Sequence, residues 1–179
     1  MRYADIINND VVNGNGVCVS FWCQGCHFHC SGCHNQQTWD FNGGKERSRE
    51  ELIDDVISRI GKNGVKRNLS ILGGEPLCEE NIDFVNDLID SAKNSYPDIK
   101  VFLWTGYTFE DLFVNERDPW RLCKVSEVLS KLDVLIDGRF EKDKRDVSLA
   151  FRGSSNQRVI DIQRTLKSPS HKIHVLSIE

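Results

Sequence analysis

The sequence has no hydrophobic run approaching the roughly 18 apolar residues that a membrane-spanning helix needs. It also lacks an excess of positive charge: the formal net charge is -4, so a broad basic face for nucleic acid is not expected. The segment from Met1 to Asp10 is polar and contains acids, unlike a signal peptide. We therefore expect a cytoplasmic protein that binds neither membranes nor nucleic acid.

Features that mark several domains are also missing. The sequence has only four prolines, no internal repeat and no low-complexity linker. Its 179 residues are an ordinary length for one domain, and they are enough to bury a core without disulfides or a structural metal. We therefore expect a single domain over residues 1–179.

Cysteine, in contrast, is abundant. The chain has seven cysteines, and four of them lie between Cys23 and Cys33. Cytosolic thiols stay reduced, so clustered cysteines indicate metal or redox chemistry rather than disulfides. The scattered Cys18, Cys78 and Cys123 are interpreted as small buried apolar residues.

Hydrophobic periodicity predicts strands that alternate with helices. The predicted strands are 17–22, 68–72, 100–104, 133–136, 159–162 and 173–178, and the predicted helices are 48–60, 79–92, 108–114 and 121–132. In the first helix, Ser48 and Glu51 have capping-box spacing, and Gly61 is a natural stop. The alternation predicts an α/β fold with a mostly parallel sheet. A closed eight-unit barrel takes about 250 residues, so we expect an open, partial (β/α) barrel.

Four unusual turns follow the predicted strands. They are the cysteine loop, Gly73-Gly74-Glu75-Pro76, Thr105-Gly106 and Asp137-Gly138. In parallel sheets the chemistry lies at the carboxyl ends of the strands, so we expect these turns to converge on one rim. Paired glycines allow the backbone to approach a ligand closely and to adopt positive φ.

Three kinds of metal site are possible interpretations of the cysteine loop. A zinc site of two Cys-x-x-Cys pairs usually has about 15–20 residues between the pairs, whereas three residues separate Cys26 from Cys30. A ferredoxin run has the spacing C-x2-C-x2-C-x3-C followed by proline, which this loop does not match. The third site omits Cys23 and uses Cys26, Cys30 and Cys33 as C-x3-C-x2-C. Three thiolates on a four-iron cluster leave one iron free to bind a substrate.

The C-x3-C-x2-C spacing resembles the signature of the radical-SAM superfamily. The segment 33–39, Cys-His-Asn-Gln-Gln-Thr-Trp, is similar to the C-H-N-x-x-T-W run of the anaerobic ribonucleotide reductase activating proteins. Further segments that resemble this family, in its order, are 13–16, 104–107, 133–140 and 152–158. Two features depart from the usual superfamily pattern: Gly32 stands where many members have an aromatic residue, and Cys23 is additional.

The resemblance implies one [4Fe-4S] cluster, held by Cys26, Cys30 and Cys33, and S-adenosylmethionine bound at the open iron. It implies that Gly32, Cys33 and His34 contact the adenosyl part of the cofactor. The implied contacts of the methionine part are Gly73, Gly74 and Glu75, with Glu75 and nearby carbonyls accepting hydrogen bonds from its ammonium group.

The activity that the resemblance implies is that of a radical-SAM oxidoreductase. The cluster reduces S-adenosylmethionine, and the 5′-deoxyadenosyl radical takes a hydrogen atom from a glycine of anaerobic ribonucleoside-triphosphate reductase. A flavodoxin-like protein supplies the electron. Two alternatives stay open: an activase of another glycyl-radical enzyme, of the pyruvate formate-lyase type, and a non-enzymatic iron–sulfur or zinc module. The Gly73 to Pro76 turn disfavours the second, since an electron carrier needs no amino-acid-binding turn.

Several residues near these motifs are not expected to bind the cluster or the cofactor, and others have more than one possible role. His27 and His29 are expected to be exposed loop residues. The tryptophans beside the motifs are expected in the core; they are Trp22, Trp39 and Trp104. The family match of residues 152–158 implies that this segment either contacts a carboxylate of the cofactor or docks the partner. The family match of the turns at 105–106 and 137–138 implies that they contact the cofactor or the partner.

Overall fold

The computed structural model describes residues 1–177, with a seven-stranded sheet at the centre. The strands are β1 (Arg2–Asp10), β2 (Cys18–Cys23), β3 (Lys45–Glu46), β4 (Asn68–Gly73), β5 (Val101–Trp104), β6 (Val134–Asp137) and β7 (Arg158–Asp161), in the order β3-β1-β2-β4-β5-β6-β7. Neighbours among β2, β4, β5 and β6 are parallel, and the outer strands β1, β3 and β7 pair antiparallel. Over these residues the sheet is not closed. The α/β class and the parallel central sheet are therefore confirmed.

The helices are α1 (Arg49–Ile60), α2 (Glu79–Ser95), α3 (Pro119–Lys131) and α4 (Ile162–Lys167). The predicted capping box is present at α1, where the Ser48 hydroxyl accepts a hydrogen bond from the Glu51 backbone N–H at 3.2 Å. The apolar faces of α1, α2 and α3 pack with the sheet in one core, which includes Val56, Phe84 and Val125. None of the helices over residues 1–177 is both long and apolar enough to cross a membrane.

The opposite face of the sheet carries the side chains that alternate with the core residues. In β2, Phe21 and Cys23 join the core, so Trp22 between them points to the other side. Loops cover part of this second face: the ring of Phe151 lies 6.2 Å from that of Phe102 and 6.5 Å from that of Trp104. The fold therefore leaves a partly covered surface opposite the helices.

The structure adds one strand that was not predicted and corrects two predicted elements. Residues 2–10, for which no element was predicted, form β1, which pairs with β2 and completes its hydrogen bonding. Ile162 begins α4 rather than ending a strand, because the Asp161 carboxylate caps that helix by accepting from the Arg164 N–H at 3.0 Å. The strand predicted at 173–178 is reduced, in its described part, to a bridge between Ile160 and Val175, and residue 178 lies outside the described residues.

Candidate functional site

The four predicted turns meet at a cavity of about 560 Å³. It lies at the carboxyl ends of the four parallel strands, on the face opposite the helices. Its lining includes the three motif cysteines, Gly73, Gly74, Glu75, Thr105, Gly106 and Gly138. Because each of these groups follows a different parallel strand, the predicted convergence on one rim is confirmed. The volume is typical of a small-molecule site, for which about 300–1,000 Å³ is usual.

Cys26, Cys30 and Cys33 all line this cavity and are half-buried. The loop that carries them is held from both sides: the Cys26 N–H donates to the Trp39 carbonyl at 3.1 Å, and the Gly25 carbonyl accepts from the Glu75 N–H at 2.8 Å. Within the loop, the Cys33 N–H donates to the Cys30 carbonyl at 3.1 Å. Backbone contacts therefore turn three separate thiols toward one space.

The chemistry of this donor set fits an iron–sulfur cluster. Iron–sulfur clusters are bound by thiolates, and three thiols from one loop open on a cavity with room beyond them. Burial raises the pKa of the Cys26 thiol to about 11. Burial also raises the pKa of Cys30, although the Phe140 backbone and the Arg139 charge oppose the shift. A metal bound by these thiols would therefore displace their protons, as metal binding to cysteine generally does.

The fourth cysteine of the loop is separated from the other three. Cys23 is fully buried as the last residue of β2 and belongs to the hydrophobic core. Burial raises its pKa well above the ordinary value, because the apolar surroundings disfavour a thiolate. Among the scattered cysteines, Cys18 and Cys78 are buried as predicted. The same prediction is wrong for Cys123, which is exposed on α3 with its Sγ 3.9 Å from a carboxylate oxygen of Glu127.

Glu75 joins two turns of the rim. Its carboxylate is almost fully buried and accepts hydrogen bonds from the Thr105 hydroxyl at 2.8 Å and from the Gly106 and Leu77 N–H groups at 2.8 and 2.9 Å. Burial raises the pKa of Glu75 to about 7, and these donors oppose that shift. The carboxylate therefore stabilises the β4 and β5 turns against each other, and its contact with a cofactor ammonium stays a prediction.

The two glycines of the same turn are needed for packing against the cysteine loop. A Cβ on Gly74 would lie 2.3 Å from the Gly25 carbonyl oxygen, and Gly73 has φ +99° with its Cβ position 2.8 Å from the Cys23 carbonyl oxygen. Side chains at these positions would collide with backbone that cannot move without moving the loop. The two glycines thus position the cysteine loop, and this role does not depend on any contact with a ligand.

Aromatic side chains form much of the cavity wall. Trp22, Trp39 and Trp104 are half-buried and line the cavity, so the prediction that they belong to the core is wrong. The Trp104 indole N–H donates to the Phe151 carbonyl at 2.7 Å, whereas the buried Trp22 indole N–H has no acceptor among the described residues. Sequence reasoning also missed Phe28, which lies within the cysteine motif and lines the cavity. Its position in the sequence between Cys26 and Cys30 was the signal that could have predicted a place at the cavity.

Three histidines lie on or beside the cysteine loop. His27 and His29 are exposed, as predicted, and the ring of His29 stacks on Trp39 with centroids 4.7 Å apart. His34 is exposed yet borders the cavity, with its ring 5.8 Å from that of Phe140. Gly32, which precedes Cys33, is exposed with φ +75° and is not among the residues that line the cavity. His34, which follows Cys33, therefore lies at the cavity mouth, whereas the contact of Gly32 with a ligand stays a prediction.

The segment 152–158 divides into two parts. Arg152, Gly153 and Gln157 line the cavity. The Arg158 guanidinium instead pairs with the Glu110 carboxylate at 2.9 and 2.6 Å and with the buried Asp137. Hydrogen bonding to Arg158 lowers the pKa of Glu110. The first part can therefore reach a ligand, while Arg158 stabilises the sheet edge.

Comparisons with known proteins agree on one family. A family model described as a 4Fe-4S single cluster domain matches residues 12–160. Three similar proteins are anaerobic ribonucleoside-triphosphate reductase-activating proteins. The one from Vibrio cholerae is 35% identical over 158 residues, which is 88% of this chain and 96% of the relative. Those from Escherichia coli K12 and phage T4 are 32% and 34% identical, over 89% of this chain and 97% and 93% of the relatives.

The chain belongs to the anaerobic ribonucleoside-triphosphate reductase-activating protein family. The resemblance seen in the motifs is thereby confirmed. The 4Fe-4S domain of this activating-protein family member extends from residue 12 to residue 160, and the cavity lining, from Val12 to Gln157, lies entirely inside it.

Proposed function

We propose that this protein uses a [4Fe-4S] cluster and S-adenosylmethionine to install a glycyl radical on an anaerobic ribonucleoside-triphosphate reductase. One observation carries the proposal: Cys26, Cys30 and Cys33 open on one cavity while Cys23 lies in the core. A set of three thiolates leaves a coordination position for a small molecule. The family membership supports the choice of reductase as the target.

The residues around the cavity would bind and shield the reacting groups. Cys26, Cys30 and Cys33 would hold the cluster. Contacts to the cofactor would come from Gly32, Cys33 and His34 on one side and from Gly73, Gly74 and Glu75 on the other. When bound, cluster and cofactor supply one-electron cleavage of the sulfonium bond, which generates the radical that takes a hydrogen atom from the target glycine. The aromatic walls would exclude water and stray hydrogen donors.

The open sheet supports a role for the partner in completing the site. We assign the four parallel strands to an open, partial barrel of the radical-SAM type, whose missing wall the reductase supplies. A glycine in the reductase backbone would enter on a loop that reaches the cavity. A flavodoxin-like protein would deliver the electron, and the free thiols of the cluster site suit a reducing cytoplasm.

The test is anaerobic reconstitution with iron and sulfide, followed by reduction and addition of S-adenosylmethionine with a candidate reductase. We expect 5′-deoxyadenosine and a glycyl signal in electron paramagnetic resonance. The Cys30→Ala variant should give neither, whereas Cys23→Ala should give both. Zinc without iron in anaerobically purified protein, or a glycyl signal only on a pyruvate formate-lyase type enzyme, would contradict the proposal.

A further inference from the structure

A second set of metal-binding side chains lies beside the cysteine loop. The imidazole of His27, the Sγ of Cys78 and a carboxylate oxygen of Glu80 all lie within 4.8 Å of one another. They come from two separate segments: His27 belongs to the cysteine loop, and the other two belong to the beginning of α2. None of the three lines the cavity, so the set is separate from the site already described.

The distances suit a tetrahedral ion. Zinc binds imidazole nitrogen at about 2.0–2.1 Å and carboxylate oxygen at about 2.0–2.2 Å, which places two such atoms about 3.3 Å apart in a tetrahedron. The Nε2 of His27 lies 3.2 Å from the Oε2 of Glu80. A sulfur ligand at about 2.3 Å from the ion lies only slightly farther from its neighbours. The nitrogen and oxygen atoms already have the separation that a shared ion requires, and the Cys78 sulfur, within 4.8 Å of both, needs to lie at about 3.6 Å from each.

The surroundings give a fixed inner ligand and an open outer side. Cys78 is 1% exposed, immediately before α2, and its side chain makes no hydrogen bond that caps the helix. The side chains of His27 and Glu80 are 53% and 49% exposed, so an ion can reach them from solvent. The His27 ring also packs against Phe41, with centroids 4.5 Å apart, which limits its orientations.

The ligand types select the class of ion. Thiolate and imidazole favour zinc and similar transition metals, whereas magnesium and calcium require oxygen ligands. Once the ion displaces the Cys78 proton, the thiolate and the Glu80 carboxylate carry two negative charges, which match a divalent cation. We propose that His27, Cys78 and Glu80 bind one zinc-class divalent cation, with water as the fourth ligand. Such an ion ties the cysteine loop, next to Cys26, to the start of α2. The proposal is independent of the radical chemistry above.

The test measures zinc and iron in the same sample. Cluster-loaded full-length protein is equilibrated with equimolar Zn²⁺ under anaerobic conditions, freed of unbound ions, and analysed for both metals. We expect wild type to retain near-stoichiometric zinc with its iron unchanged. His27→Ala and Cys78→Ser should each weaken zinc binding tenfold or more, because each removes a ligand. His29→Ala, in the same loop, and Cys123→Ser, an exposed thiol, are the matched controls and should bind zinc as wild type does.

Three outcomes would overturn the proposal. Wild type that retains no zinc would show that the three side chains form only an ion pair and a thiol contact. Zinc retention in His27→Ala equal to that of wild type would place the ion elsewhere. Zinc uptake with a matching loss of iron would place it at the cluster cysteines. Because His27 is on the surface, its variant keeps the test decisive even if Cys78→Ser folds poorly.

Discussion

Replacing Gly74 with alanine should disturb the cysteine loop, although residue 74 is not a cluster ligand. The added Cβ would lie 2.3 Å from the Gly25 carbonyl oxygen and 2.9 Å from its carbonyl carbon. Relief of this contact requires a shift of about 1 Å, since non-bonded carbon and oxygen normally stay more than 3 Å apart. The same carbonyl accepts the Glu75 N–H at 2.8 Å, so the shift also weakens that hydrogen bond.

The expected loss follows from these two effects. Overpacking in a tight interior costs about 1–3 kcal/mol, and a weakened backbone hydrogen bond costs about 0.5–1.5 kcal/mol more. We expect Gly74→Ala to lower the free energy of unfolding by about 2–4 kcal/mol and to bind less iron after reconstitution. Urea unfolding of the metal-free protein and iron analysis of the reconstituted protein measure the two effects.

Gly64→Ala provides the control for this prediction. Gly64 has φ +68° and no atom within 4 Å of its Cβ position, so alanine there adds backbone strain without a collision. It should lose only about 1–2 kcal/mol and retain full iron. If Gly74→Ala has wild-type stability and full iron, the argument that Gly74 positions the cysteine loop is wrong.

Three further predictions concern the ligands, an ion pair and the partner. Alanine at Cys30 should abolish the cluster and alanine at Cys23 should retain it; iron analysis that ranks them the other way would show that the wrong three cysteines were chosen. Arg158 lowers the pKa of Glu110, so the pair stabilises the fold above the ordinary glutamate pKa, and this contribution disappears as pH falls through the lowered value. Glu110→Gln should therefore lower the free energy of unfolding by up to about 1 kcal/mol at neutral pH, a small effect because the carboxylate is partly exposed. In acid, the variant and the wild type should have the same free energy of unfolding. A difference that does not change with pH would refute the ion-pair account. Finally, 5′-deoxyadenosine formation by the reduced protein should be slow alone and faster with the reductase, which should co-elute on a sizing column; equal rates without co-elution would remove support for a partner-completed site.

Local signals in the sequence predicted much of the fold. The α1 boundaries followed from Ser48, Glu51 and Gly61, because helix caps depend on side chains next to the helix end in sequence. The strand β1 was missed because its residues are largely polar, and its formation depends on the unpaired edge that β2 offers. A strand held mainly by backbone pairing with its neighbour leaves little hydrophobic periodicity in its own sequence.

The site was predictable where spacing determines geometry. The resemblance of the C-x3-C-x2-C spacing to the radical-SAM signature separated Cys26, Cys30 and Cys33 from Cys23, and the structure places the first three on the cavity and the last in the core. The position of Trp22 was not predicted, although it alternates with core residues. Alternation indicates that it faces away from Phe21, but only the tertiary arrangement of loops shows that this second face is partly open.

The turns around the cavity are joined in a continuous series of hydrogen bonds. Glu75 links Gly25 to Gly106, the Gly138 N–H donates to the Tyr107 carbonyl at 2.9 Å, and the Gln157 amide donates to the Gly138 carbonyl at 2.9 Å. Each of these bonds joins one protein group to another, so the walls are largely preorganised. A ligand that enters such a site orders few additional groups, and little of its binding free energy is lost to conformational entropy. Under the proposed function, most of the ordering that remains when the complex assembles then falls to the glycine-bearing loop of the reductase.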